Sequence, residues 1–165
     1  MALEIERKFL VDGGAWQPSP RSSSVRQNYL STIKDVSVRV RLRDGRGSLT
    51  IKGEREGVVR EEIEFDIPSS DAEALLKLCP YPAIEKIRYE IDYHGHLWEV
   101  DVFEGRHRGL VLAEIELASE DASFTRPPWL GAEVTFDARF RNSRLVQMQS
   151  IDELLEATKV VGAQG

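Results

Sequence analysis

Val36-Ser37-Val38-Arg39-Val40-Arg41-Leu42-Arg43 alternates an aliphatic residue with a polar one without a break. Successive side chains of a β-strand point to opposite faces, so a period of two sorts this stretch cleanly. Val36, Val38, Val40 and Leu42 share one face, and Ser37, Arg39, Arg41 and Arg43 share the other. A helix, with its period of 3.6, would mix the two sets. The same alternation runs on both sides of this segment. Before it lie Leu3 to Val11 and Val25 to Thr32; after it come Ser48 to Lys52, Val58 to Ile67, Ile84 to Tyr93, Leu97 to Phe103 and Leu110 to Ala118. These are eight predicted strands. Most are separated by short turn signals: Asp12-Gly13-Gly14, Asp44-Gly45-Arg46-Gly47, His94-Gly95-His96 and Glu104-Gly105. Strands joined by such short turns run antiparallel.

Helical signals are few. Ser70-Asp71-Ala72-Glu73 reads as a capping box opening a helix through about Leu78, stopped by Pro80. Ser119 to Phe124 reads as a short helix ended by Pro127-Pro128. The chain turns helical after Asn142, with a second capping box at Ser150-Ile151-Asp152-Glu153 and a frayed end over Val161 to Gly165. The expectation is a mainly β (α+β) single domain over residues 1–165, with helices between strands and near the C-terminus.

Composition narrows the function classes. The chain has 165 residues, 22 basic and 28 acidic, for a net charge of −6. That acidity argues against a general nucleic-acid binder. The longest apolar runs, such as Leu110 to Ala113, fall far short of the roughly 20 residues of a membrane span. Met1 to Phe9 is charged where a signal peptide would be hydrophobic. One cysteine, Cys79, forms no internal disulfide, so a reducing, cytoplasmic setting is the simplest reading. No partner in nucleic acid or membrane is expected.

The polar slots of the strands are charged rather than merely polar. They hold Glu4, Glu6, Lys8; Arg39, Arg41, Arg43; Lys52; Arg60, Glu62, Glu64; Lys86, Arg88; Glu99, Asp101; and Glu114, Glu116. For any one strand the ordinary explanation is a solvated outer face. Three successive arginines on one face, however, have no internal compensation and call for an anion or facing carboxylates. Carboxylates two residues apart, about 6.6–6.8 Å by strand rise, invite a cation. If the sheet closes into a barrel, all these groups point into one lumen. A polyphosphate carrying Mg²⁺ or Mn²⁺ would satisfy both sets, since hard cations take carboxylate and phosphate oxygens.

These residues resemble a known family. Glu4-Ile5-Glu6-Arg7-Lys8 is similar to the ExExK signature of the CYTH superfamily, the triphosphate tunnel metalloenzymes. Arg39-Val40-Arg41, Thr50-Ile51-Lys52, Arg60 to Glu64, Glu85 to Tyr89, Glu99 to Phe103 and Glu114-Ile115-Glu116 follow in the family's order. Arg139 to Leu145 resembles the segment leading into the family's final helix, and the likeness covers Leu3 to about Met148. The compact bacterial inorganic triphosphatases are the members it resembles most. The resemblance implies an eight-stranded antiparallel, closed β-barrel tunnel that binds a small-molecule triphosphate with a divalent metal, and it allows a homodimer. It implies Glu4, Glu6, Glu114 and Glu116 as metal ligands, with Asp101, Glu62 and Glu64 in support. It implies Lys8, Arg39, Arg41, Lys52 and Arg88 on the phosphates, with Arg139 contributing from the C-terminal segment. The chain departs from many relatives in having Arg139, Arg141 and Arg144 where they have lysine; a guanidinium fork would contact phosphate differently from an ammonium.

For the chemistry, Lys8 and Tyr29 on the first hairpin could form a proton-handling pair, or Tyr29 could simply be a packed strand aromatic. Lys86 could protonate the departing phosphate or only bind it. The favoured expectation is hydrolysis of tripolyphosphate to pyrophosphate and phosphate. Two alternatives stay open: ATP cyclisation or thiamine or nucleoside triphosphate hydrolysis on the same fold, and a non-catalytic polyphosphate- or nucleotide-binding module. Cyclisation and nucleoside use need a base-recognition pocket, which no sequence element clearly offers, although loops such as Trp16 to Ser24 could build a tunnel mouth. A sensor would have shed carboxylates, which this chain keeps. No P-loop is present, and His94 and His96 flank a hairpin glycine.

Overall fold

The computed structural model describes residues 2–12, 15–33, 36–56 and 59–163. The Gly13-Gly14 turn, Val58 at the start of the fifth predicted strand, and Gln164-Gly165 lie outside the described residues. The strands are β1 (Ala2–Val11), β2 (Ser22–Ile33), β3 (Val36–Arg43), β4 (Arg46–Glu56), β5 (Val59–Ile67), β6 (Ile84–Tyr93), β7 (His96–Phe103), β8 (Val111–Glu116) and β9 (Leu130–Glu133). The helices are α1 (Ser69–Leu78), α2 (Asn142–Leu145) and α3 (Asp152–Ala163).

Eight strands close an antiparallel barrel in the order β1-β5-β4-β3-β2-β6-β7-β8 and back to β1. Tight hairpins make the neighbours: Asp44 (φ 48°) with Gly45 (φ 77°), and His94 (φ 45°) with Gly95 (φ 80°), take the left-handed conformations that a two-residue hairpin turn demands. One edge of β1 pairs with β8 from Glu6 to Leu10. Its other edge is shared. Ala2 to Ile5 pair with β5 and close the barrel, whereas Phe9 and Val11 pair with β9, across a register shift. β9 is a ninth strand that alternation did not predict.

The apolar cores lie outside the barrel wall, not within it. α1 covers Val40 and Leu42 with Ala72 and Leu76. The stretch from Phe124 to Leu130 covers Phe9, Trp98, Val100 and Ile115, with Trp98 and Trp129 edge to face at 5.8 Å. The C-terminal segment packs Phe140, Leu145, Val146, Ile151 and Leu154 against Ile84, Phe103, Leu110 and Leu112. Each cover buries the aliphatic half of an alternating strand, which leaves the charged half facing inward.

Two helix readings are corrected. α1 starts after Pro68, whose carbonyl accepts from Asp71 N and Ala72 N at 3.0 Å, with no side-chain cap. Proline already has a helix-compatible φ and no N–H to satisfy, and Glu73, the expected partner in the box, pairs with Arg26 instead. Ser119 to Phe124 forms turns rather than a helix. Ser119 Oγ donates to Asp121 Oδ1 at 2.8 Å, and Phe124 is drawn onto the rings of Phe9 and Trp98. At Ser150, the hydroxyl does accept from Asp152 N at 3.2 Å ahead of α3.

Candidate active site

The period-two charges meet in a lumen of about 360 Å³. β1 contributes Glu4, Glu6 and Lys8; β3 contributes Arg39, Arg41 and Arg43; β4 gives Lys52, β5 Arg60, Glu62 and Glu64, β6 Arg88, β7 Glu99, and β8 Glu114 and Glu116. Tyr29 also lines it while packing into the outer core. Arg141, Asn142 and Ser143, from the C-terminal segment, complete the lining.

Three predicted residues are placed differently. Arg139 lies away from the lumen, its guanidinium bonded to Asp137 and its side chain 56% exposed. The short 3₁₀ turn Ala138–Phe140, capped by Asp137, points Arg139 outward while its neighbour Arg141 lines the lumen. Lys86 and Asp101 sit beneath the lining, at 0% and 1% side-chain exposure. Lys86 Nζ is 2.7 Å from Asp101 Oδ2, and Arg88 Nε is 2.7 Å from Asp101 Oδ1. Asp101 is thus occupied by two cations.

Ion pairs stitch the wall together. Lys52 Nζ is 2.9 Å from Glu4 and 3.8 Å from Glu62. Lys8 Nζ is 3.4 Å from Glu114 and donates to Phe140 O at 3.2 Å. Arg88 reaches Glu99 at 2.9 Å, and Arg39 reaches Glu64 at 3.7 Å. Even so, the Nε–H groups of Arg39, Arg60 and Arg141 are buried without a hydrogen-bond partner. Orphan cationic donors around one lumen are sites awaiting an anion.

Titration follows the same layout. Burial would raise the Asp101 carboxyl, but Arg88 and Lys86 override it and hold it at about 2. Burial likewise opposes ionisation of Glu114, yet Lys8 and Arg88 hold it well below the usual range. Glu6 goes the other way: burial, then Glu114 and Glu4, push it well above. Burial, then Arg39 and Arg88, lower Arg41 to about 9, and burial lowers Lys86 to about 7 against the pull of Asp101.

Sequence reasoning named Arg141 only as an arginine where many relatives have lysine, and did not single out Gln27, Asn142 or Ser143. Arg141, Asn142 and Ser143 come from an irregular segment with no period to read. Gln27 lies two residues before Tyr29 and opposite Arg41, so strand parity was the signal that could have found it.

A CYTH domain model matches residues 2–149. The chain belongs to the CYTH family. A relative from Acetivibrio thermocellus, named inorganic triphosphatase, is 47% identical over 148 residues, covering 89% of this chain and 95% of that one. A Nitrosomonas europaea protein of the same name is 40% identical, covering 86% and 95%. A crystal structure of an inorganic triphosphatase matches with a TM-score of 0.66 at 37% identity, covering 91% of this chain and 98% of that one. CYTH tunnel enzymes depend on a metal, and the donor set here suits one. Glu6 is buried beside Glu4 and Glu114, whose charges push its carboxyl up, and a hard divalent cation is the partner that would relieve such crowding. Among the described residues, no three carboxylate, His or Cys side chains form a ready cage. A cation here would therefore be shared between a few carboxylates and ligand oxygens, as Mg²⁺ commonly is.

Proposed function

We propose that this CYTH domain is a divalent-metal-dependent hydrolase that cleaves inorganic tripolyphosphate to pyrophosphate and phosphate. The observation that carries the reading is the shared lumen: cations from β3, β4, β6 and the C-terminal segment and carboxylates of β1 and β8 line one cavity of about 360 Å³. The names of the relatives from Acetivibrio and Nitrosomonas support it.

Glu4, Glu6, Glu114 and Glu116 would hold Mg²⁺ or Mn²⁺; when bound, the cation neutralises phosphate oxygens and lowers the pKa of water. Arg39, Arg41, Lys52 and Arg88 bind and align the phosphate chain, with Arg60 and Arg141 adding unspent donors. Lys8 Nζ, held by Phe140 O and Glu114, donates a proton or hydrogen bond to the departing phosphate; Tyr29 lines the same lumen from β2, which pairs with β3 and β6 and, among the described residues, forms no hairpin with β1. Lys86, beneath the lining, acts on the ligand indirectly, through Asn142, to which it donates at 3.3 Å, and through Asp101, which it shares with Arg88. We place the enzyme in the cytoplasm, where the lone Cys79 stays reduced.

The lining favours the inorganic substrate. Among the described lining residues only Leu3 and Tyr29 offer apolar surface, and Trp16 of the Trp16–Ser24 loop stacks edge-on against Tyr89, outside the lumen. Charge recognises the phosphate chain, and no pocket is built for a base. The test is phosphate release from tripolyphosphate, ATP and thiamine triphosphate, each with Mg²⁺, Mn²⁺ or EDTA. Tripolyphosphate should show the highest kcat/KM, abolished by EDTA. Equal or better use of ATP or thiamine triphosphate overturns the substrate assignment.

A further inference from the structure

Arg41 is held unlike its neighbours. Arg39, Lys52, Arg88 and Lys8 each have a carboxylate partner. Among the described residues Arg41 has none; its guanidinium rests on the amide of Gln27. Gln27 is directly opposite it across the β2–β3 ladder and 0% exposed. Gln27 Oε1 accepts from Arg41 Nε at 2.9 Å and from Nη2 at 2.7 Å. Gln27 Nε2 donates to Asn142 Oδ1 at 3.1 Å, and that oxygen also accepts from Lys86 Nζ at 3.3 Å. The end groups of this chain, Arg41 and Lys86, have only protons to give, so both amide orientations follow from them.

A glutamate at position 27 would have the same shape and would hold Arg41 about twice as strongly, because bonds between ions exceed those between an ion and an amide. It would also cancel the arginine's charge. An amide fixes direction and leaves the charge available. We infer that Gln27 is a positioning residue that aims the Arg41 guanidinium at the triphosphate without neutralising it, and that Asn142 ties this aim to the C-terminal segment closing the lumen. The inference rests on the triphosphatase reading and deepens it.

The test compares wild type with Q27E and Q27M, measuring kcat and KM for tripolyphosphate over a range of salt, its binding by calorimetry, and thermal melting. In Q27E the fold stays, KM rises tenfold or more with a much smaller change in kcat, and the salt dependence of KM becomes shallower because one cation has been neutralised. In Q27M the charge remains but the aim is lost: KM rises while the salt dependence keeps its wild-type slope. A merely structural role predicts the opposite ranking, with Q27E rescuing what Q27M loses. Wild-type KM in either variant overturns the inference, and if Q27E does not fold, the KM and salt slope of Q27M decide. If wild type binds tripolyphosphate without cleaving it, the hydrolase reading fails and the dissociation constants of the variants judge Gln27; neither binding nor cleavage overturns both.

Discussion

Glu6 and Glu116 stand directly opposite each other across the β1–β8 ladder. Facing like charges destabilise a sheet, and this pair is flanked by Glu4 and Glu114. Burial, then Glu114 and Glu4, push the Glu6 carboxyl well above its usual range. Its stabilising share is full below the ordinary carboxyl range and is lost as pH climbs through the raised folded value.

Glu116→Gln removes one of the opposed charges from an exposed position. Turnover should fall roughly a hundredfold or more, as expected for losing part of a cation's support. The melting temperature of the metal-free protein should hold or rise. Steady-state kinetics and a thermal melt check this together; unchanged kcat with unchanged metal dependence removes Glu116 from the ligand set.

Arg139 and Arg141 are two residues apart and should behave oppositely. Arg139→Ala, on the outer surface, should leave kcat/KM within about twofold. Arg141→Ala removes an orphan donor from the lumen, a charge-assisted contact worth roughly 1.5–3 kcal/mol, so KM should rise by roughly tenfold to a hundredfold. Kinetics on the two variants side by side decide it, and a reversed ranking refutes the placement.

Asp101→Asn should reveal a pH-dependent deficit. In the folded protein Asp101 titrates at about 2 rather than its ordinary 3.8, so its contribution is present above 3.8 and fades as pH falls toward 2. At neutral pH the substitution leaves Lys86 buried without its carboxylate and Arg88 with Glu99 and Glu114 alone, at a cost of about 3–5 kcal/mol. Urea unfolding of both proteins from pH 7 to pH 2 should show the gap narrowing only at the acid end. A constant gap contradicts the ion-pair account.

Gly47→Ala probes the seat of α1 on β4. A Cβ there would meet Ile67 O at 2.7 Å and Ala72 Cβ at 2.9 Å, so the helix must move off the sheet. Overpacking of this kind costs roughly 1–3 kcal/mol, or about 2–4 °C in Tm per kcal/mol for a domain of this size. The lumen lies on the other face, so kcat of the folded protein should not change. Differential scanning calorimetry with kinetics at a permissive temperature measures both.

The barrel was legible because most of its strands repeat one rule, aliphatic out and charged in, β2 with Gln27 and Tyr29 being the exception. Arg39, Arg41 and Arg88 could be placed from parity alone. β9 could not: Leu130-Gly131-Ala132-Glu133 has no alternation and becomes a strand because half an edge of β1 would otherwise lack partners. Ser119 to Phe124 carried helix-like end signals, but Phe124 gains more by covering Phe9 and Trp98. Arg139 and Arg141 were indistinguishable in sequence, since a single 3₁₀ turn fixes which one faces in. Gln27 and Asn142 were passed over for being neutral among so many ions.

The divided edge of β1 also sets the order of events in folding. Glu6 meets its ladder partner Glu116, and Phe9 meets Glu133, only across most of the chain's length, whereas β2 through β5 find each other through neighbouring hairpins. Contacts between distant segments form slowly because loop closure must come first. The ribbon from β2 to β5 can therefore zip early. Glu4, Glu6 and Lys8 wait for these distant partners and are sewn in last, so a chain that can bind its ligand is a chain that has finished folding.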